Sequence, residues 1–198
     1  MLVRYWFLAV LATWRLAFSR KPKEKGKLDA INQVRTLLLA AWLGVALYFS
    51  AVVAPSAFGA LRSFGLVNAN EIAGTIVTRT LAVVNLSGVV LGLFVLITAF
   101  AARTAYKRRT FILQIVLPLV VAVATGVGEW VIAAKMRGLR AAMHGQIDQV
   151  PLTDPNRIAF AALHGYSVAA LSVAMIAALL FVLLMIFAHR KATPRFTQ

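Results

Sequence analysis

His164, Glu129, Arg79, Ser167, Asn85 and Arg157 are the side chains whose types could do chemistry in an otherwise apolar chain. An imidazole and a carboxylate can exchange a proton or share a cation, and an imidazole can also take an axial position on haem iron. A guanidinium beside a carboxylate can instead lock two helices together. Polar groups inside a membrane are costly, so they point either to packing needs or to function. Counted from the basic end of each apolar run at about 1.5 Å per residue, Asn85, Glu129, Ser167, Arg79 and His164 stand roughly 25, 28, 31, 34 and 36 Å up. Ser56 falls near roughly 30 Å on the same scale. These residues thus share one layer, at or just above the outer edge of the hydrocarbon, while the opposite half of the chain reads as nearly all apolar. His164 and Ser167 lie three apart on one helical face.

Three arrangements of this layer remain open. Arg79 pairs with Glu129 and locks an interfacial rim, or His164 and Glu129 bind a cation, a headgroup or a proton in a shallow external pocket. The third is haem ligation through His164 alone, because His189 falls at the other side of the membrane and His144 in a loop. The shared-site idea requires that Glu129 contact Arg79 or His164, and that His164 and Ser167 face the bundle interior. There is no cysteine, no GxSxG, no Walker A motif and no HExxH. One His and one Glu are too few donors for a metal centre. No catalytic residue, resident cofactor or metal is assigned, and the chain reads as a non-enzyme.

The elements that position these residues follow from hydropathy. Of 198 residues, 61% are hydrophobic and 14% charged, against about a quarter charged in soluble domains. Thr36 to Leu61 and Thr80 to Ala102 carry no charge, Thr110 to Ala134 carries only Glu129, and Ile158 to Ala188 carries only a chargeable His164. A helix of about 20 apolar residues spans a bilayer core, so the fold class is an all-α integral membrane protein with four transmembrane helices, at about 36–56, 80–102, 111–134 and 158–188. Residues 1–30 form an apolar N-terminal segment and a basic linker, residues 31–190 the four-helix domain, and residues 191–198 a tail. The uncharged stretch Tyr5 to Trp14, bracketed by Arg4 and Arg15, covers about 15 Å as a helix. It suits either an interfacial helix or a short fifth span.

Pro55 is expected to end the first span and Pro118 to kink the third. Ala40, Gly44, Ala51 and Ala54 on the first span, Gly88 and Gly92 on the second, and Ala170, Ala174 and Ala178 on the fourth form seams of small residues. Such seams let membrane helices approach closely.

The formal charge of +15 would suggest nucleic acid in a soluble protein, but its placement excludes that partner. Thirteen of the 21 Lys and Arg lie in Arg20–Arg35, Arg103–Arg109 and Arg190–Arg195, the alternate connections of a four-span chain. Six lie in the intervening loops. That bias places both ends of the four-helix core in the cytoplasm, in a cell inner membrane or other cell membrane, and the lysines of Lys21 to Lys27 suit anionic headgroups.

Two stretches resemble the four-helix domain of the transmembrane-protein-205-like family. One is Leu37 to Leu61, with W-x-G early and A-P-x-x-F at the outer end; the other is Arg157 to Ser167, RIAFAALHGYS, similar to the family's R-x-x-F-x-x-L-H-x-x-S. The resemblance spans about residues 33–188. It implies the fold and marks Pro55, Phe58, Arg157, His164 and Ser167, but implies no settled activity. The expected function is a helical-bundle subunit of a larger membrane complex, in contact with the lipid bilayer. The alternatives are a small-ligand or ion binding or export component and a haem-bearing electron-transfer subunit.

Overall fold

The computed structural model describes residues 24–101 and 107–192. The expected N-terminal helix of residues 1–18, residues 19–23 of its basic linker and most of the Arg103–Arg109 turn lie outside the described residues; linker residues 24–30 are helical. Those described are helical apart from short turns: α1 (Glu24–Tyr48), a π-helical turn (Phe49–Val53), α2 (Ala54–Ser63), α3 (Ala69–Ala101), α4 (Arg108–Gly126), a second π turn (Val127–Ala133), α5 (Ala134–Ala142) and α6 (Pro155–Ala192).

These pieces form four rods, each long and apolar enough to cross a membrane: Leu28–Ser63, Ala69–Phe100, Arg108–Ala142 and Pro155–Ala188. The rods run 32 to 36 residues, roughly 48 to 54 Å, so all outlast a hydrocarbon core of about 30 Å. Helices therefore continue well past the apolar runs, most clearly at the end that carries turn 64–68 and loop 143–154 (the loop end). The other end, where residues 24, 101, 108 and 192 lie, is the terminal end.

Packing follows chain order. The second and third rods pack most closely, the third packs on the fourth, and the first closes the ring between the fourth and the second. The first rod divides its contacts, with α1 lying along α6 and α2 along α3. The core is a stack of fully or nearly fully buried side chains, including Leu39, Trp42, Leu91, Val95, Val121 and Phe181. Trp42 Nε1 donates to Val84 O at 3.0 Å, so the largest core ring also ties the first rod to the second.

The expected small-residue seams divide sharply. A Cβ at Gly88 would lie 2.7 Å from Thr125 Cγ2 and 2.9 Å from Trp42 Cζ2. At Gly92 it would lie 2.8 Å from the Pro118 carbonyl oxygen and 2.9 Å from Ala122. Both glycines are thus sites where the second and third rods touch closely, at Gly92 backbone to backbone. On the fourth rod Ala174 and Ala178 are fully buried. Gly44 is different: it is exposed, and a Cβ there would meet nothing within 4 Å. The inward stripe of the first rod is Leu39, Trp42, Leu43, Ala46 and Phe49, so the small residues at 40, 44 and 51 do not form its seam, while Ala54 packs against the core from its edge.

Pro55 does not end the first rod. The helix runs on to Ser63, with Pro55 in the first turn of α2. A proline in a continuous helix removes one hydrogen bond and clashes with the carbonyl four residues back. Here the wide turn Phe49–Val53 immediately precedes it, and the extra residue moves that carbonyl out of register with the ring.

Candidate functional site

Arg35 is the largest departure from the sequence expectation. Its sequence neighbours group it with the basic linker, yet α1 begins at Glu24 and Arg35 lies fully buried within the bundle. The half of the molecule expected to be apolar therefore holds the most deeply buried charged residue among those described.

Several elements converge on the guanidinium. Nη1 donates to Asn32 Oδ1 at 3.1 Å, one helical turn back on the same face. Nη2 donates to Gln114 Oε1, also at 3.1 Å, across to α4. The guanidinium carbon stands 5.6 Å from the centre of the Phe181 ring of α6, a cation–π contact. Three of the four rods thus meet at one cation. Guanidinium suits such a place because its charge is delocalised and weakly hydrated and its donors are fixed in a plane.

Gln114 is itself fully buried, and its Nε2 finds no hydrogen-bond acceptor among the described residues. Four residues on is Pro118, buried in the same helix. Proline has no N–H to give to the carbonyl four residues earlier, so the Gln114 main-chain oxygen lacks its regular helical donor. The residue that holds Arg35 is thus itself incompletely satisfied. Pro118 also presents its own carbonyl to Gly92, as described above.

The loop end is organised on other terms. Arg140 of α5 meets Glu71 of α3 through Nε at 3.0 and 3.1 Å and through Nη2 at 2.6 Å. Its Nη1 donates to Gly145 O at 2.6 Å. Glu71 Oε2 also accepts the Ile147 main-chain N–H at 3.1 Å. Asp148, from the same loop, accepts the Glu71 main-chain N–H at 3.2 Å and a bond from Asn70 Nδ2. It therefore caps the first turn of a helix 77 positions away, where exposed N–H groups and the helix dipole favour a carboxylate. Asp154 caps α6 through Asn156 N at 2.8 Å and Arg157 N at 3.1 Å. Arg62 bonds Asn70 Oδ1 at 2.9 Å and lies over Phe58 at 5.6 Å. Together these contacts clasp the loop onto the second and third rods.

The six residues expected to form one outer site are distributed through this frame. Asn85, Glu129 and Ser167 are buried, at 3%, 8% and 7% exposure. A Cβ at Gly128 would come 3.3 Å from Asn85 Nδ2, so that amide packs against the third rod's backbone. Glu129 does not pair with Arg79 or His164; its ion pair is with Arg137 of the same rod, at 3.5 Å. In a regular helix residues eight apart stand roughly 80° apart in projection, and the extra residue of a π turn takes back about 100°. The turn Val127–Ala133 thereby brings position 137 round to the face of 129.

Arg79 is exposed. It lies on the outward stripe of α3 with Ile76, Val83, Leu86, Val90 and Ile97, so rotation about the helix axis, not depth, separates it from Glu129. Ser167 joins the inward stripe of α6 with Leu171, Ala174, Ala178 and Phe181. His164 continues that stripe in sequence but is exposed, because at its level the first rod leans on α3 rather than α6. Arg157 is half-buried and straps α6 to the loop through Val150 O. Pro55 is exposed and Phe58 half-buried.

A signal for the Arg35 site does exist in the sequence. Asn32 and Thr36 flank Arg35 at helical spacing with no Pro or Gly to break the helix, and Gln114 is the one amide in the third apolar run. For the clasp the signal is the acids: four of the six, Glu71, Glu129, Asp148 and Asp154, lie towards the loop end.

A family model described as a domain of unknown function (DUF4149) matches residues 37–145, which is more than half of the chain. No curated protein matches the chain, and no solved structure does.

Proposed function

The chain belongs to the DUF4149 family, and from that premise we propose that it is a non-catalytic membrane subunit that docks by its apolar flank against a larger membrane complex. The observation that carries this reading is the filled interior. Between the Arg35 level and the Glu129 level the bundle axis is occupied by Trp42, Leu91, Val95, Val121 and Phe181, all at most 2% exposed. Close packing of that kind leaves no aqueous route along the axis, which favours a scaffold over a pore. The outward stripes carry large apolar side chains such as Ile97, Val123, Ile176 and Phe187, surface equally suited to lipid and to partner helices.

The finer family assignment, to the transmembrane-protein-205-like proteins, rests on the two sequence stretches. Of these, Leu37–Leu61 lies inside the matched segment and Arg157–Ser167 beyond it. The topology belongs to the same proposal: the terminal end faces the cytoplasm of a cell membrane, because the alternate connections at that end carry the basic excess.

Extraction in a mild detergent followed by affinity purification tests the subunit role. A partner at fixed stoichiometry is the expected result, and a lone monomer or homo-oligomer overturns it. A visible absorption spectrum of the same preparation tests the haem alternative; a Soret band would replace the scaffold reading. One observation favours a second reading, a ligand site at the loop end. Glu129 is a buried carboxylate inside a π turn, an irregularity often found at functional sites, and its ion pair with Arg137 is long at 3.5 Å. Saturable, Glu129-dependent binding of a cation by the purified protein would support it.

A further inference from the structure

The surface between α1 and α6 at the terminal end is not accounted for by the subunit reading. A groove of about 500 Å³ runs there between the two helices. Its floor and walls are Leu37, Ala40, Val182, Met185 and Ile186. Leu37 is 70% and Ile186 40% exposed, so the groove opens sideways to whatever surrounds the bundle. Towards the terminal end its lining turns polar, with Asn32, Gln33 and Thr36.

Beyond that polar edge the sequence becomes basic on both walls. Lys25 and Lys27 precede Asn32 on α1, and Arg190 and Lys191 follow Ile186 on α6. An apolar slot, a rim of amide and hydroxyl groups and four basic helix positions thus succeed one another along the two helices. Acyl chain, glycerol ester and phosphate succeed one another along a phospholipid in the same order.

We propose that this groove binds an anionic phospholipid, with one acyl chain against Leu37, Ala40, Val182 and Ile186. The headgroup phosphate lies at the level where Asn32, Gln33 and Thr36 give way to the basic residues. Charge complementarity selects the occupant: a neutral lipid fills the slot equally well but gains nothing from the basic positions. A second membrane helix would leave the polar rim and the four basic positions unmatched.

The test uses the full-length protein in detergent and native mass spectrometry with phosphatidylglycerol and phosphatidylcholine of identical acyl chains. Retention of phosphatidylglycerol over phosphatidylcholine on the order of tenfold is expected. Ala40→Phe and, separately, Leu37→Trp should abolish retention of both lipids while the melting curve stays that of the parent. Leu37 is so exposed that its variant disturbs no core contact. The combined variant Lys25→Gln, Lys27→Gln, Arg190→Gln, Lys191→Gln should still bind lipid but lose the preference. Equal retention of the two lipids by the parent overturns the proposal, as does undiminished retention by both groove-filling variants or an unchanged preference in the charge variant. Displacement of phosphatidylglycerol by inorganic phosphate would reduce the site to simple anion binding and also overturns it. So does a photo-crosslinker at Leu37, in native vesicles, that captures residues 1–18 or another protein instead of lipid.

Discussion

Arg35 and Arg140 are the same residue type held by opposite means. Arg140 is half-buried, gripped in several places by the Glu71 carboxylate, and its loop partner Gly145 lies five residues away. Arg35 is fully buried, and the contacts of its guanidinium include two neutral amide oxygens and an aromatic face. At the loop end, water and opposite charge keep the cost of the guanidinium low, so the pair can serve as a detachable clasp. Within the bundle desolvation is severe, and the amides and the ring offset part of it. The loop-end arginine therefore positions a loop, whereas the buried one fixes how three rods sit against each other.

The largest effect expected from this contrast is in Arg35→Ala. It leaves Gln114 Oε1 and Asn32 Oδ1 without the donor and opens a void beside Phe181. The loss should be about 3 kcal/mol or more, the usual consequence of removing one member of a buried polar set. Thermal unfolding in detergent measures it, and a shift no larger than that of Arg140→Ala would erase the distinction. Arg140→Ala itself should cost about 1–2 kcal/mol, since the bidentate pair is partly solvated. Its signature is local: protease cleavage within 143–154 should accelerate while the core melts nearly as before. Global unfolding at a much lower temperature would show that the clasp holds the rods and not merely the loop.

Gln114→Glu sharpens the comparison from the other side. It replaces an amide nitrogen that has no acceptor among the described residues and sets a carboxylate beside Arg35. A gain of about 1 kcal/mol is expected, read as a raised melting temperature, and a lower one would mean that the carboxylate's desolvation dominates. The smallest effect is that of salt. Raising ionic strength from about 0.1 to 1 M shortens the screening length from about 10 to 3 Å. Loop cleavage should quicken modestly, and the melting of the core, where Arg35 is out of reach of ions, should not change.

The bundle is legible in the sequence because charge-free runs of this length have few other uses. So is the Gly88 and Gly92 contact, where one face of one helix must be small. Gly44 misleads because periodic small residues are equally acceptable facing lipid. Arg35 is misplaced for a related reason: an apolar run is taken to begin after its last charge, whereas the helix begins where its backbone bonds do, eleven residues earlier at Glu24. The outer layer is right in depth and incomplete in rotation. Asn85, Glu129 and Ser167 turn inward and Arg79 turns out, and nothing in residue type distinguishes the two stripes of α3 at position 79. The Glu71–Arg140–Asp148 clasp escapes a reading of the sequence because its members are distant along the chain and each looks like an ordinary loop residue.

The two π turns mark where the rods tolerate insertion and deletion. Each is the trace of a single surplus residue absorbed by a helix that did not break. A one-residue deletion elsewhere in a rod would throw its inward stripe out of phase with its neighbours along all the remaining length. A deletion within Phe49–Val53 or Val127–Ala133 would restore ordinary helix and leave the terminal-end portion of the rod untouched. Everything beyond it would keep its facing, because the π turn already takes back the roughly 100° that the surplus residue adds. In the first rod Arg62 would still face Asn70; in the third Arg137 would still come round to Glu129 and Arg140 to Glu71. The spans can thus shorten by one residue at these two places with both the bundle and the loop-end contacts kept.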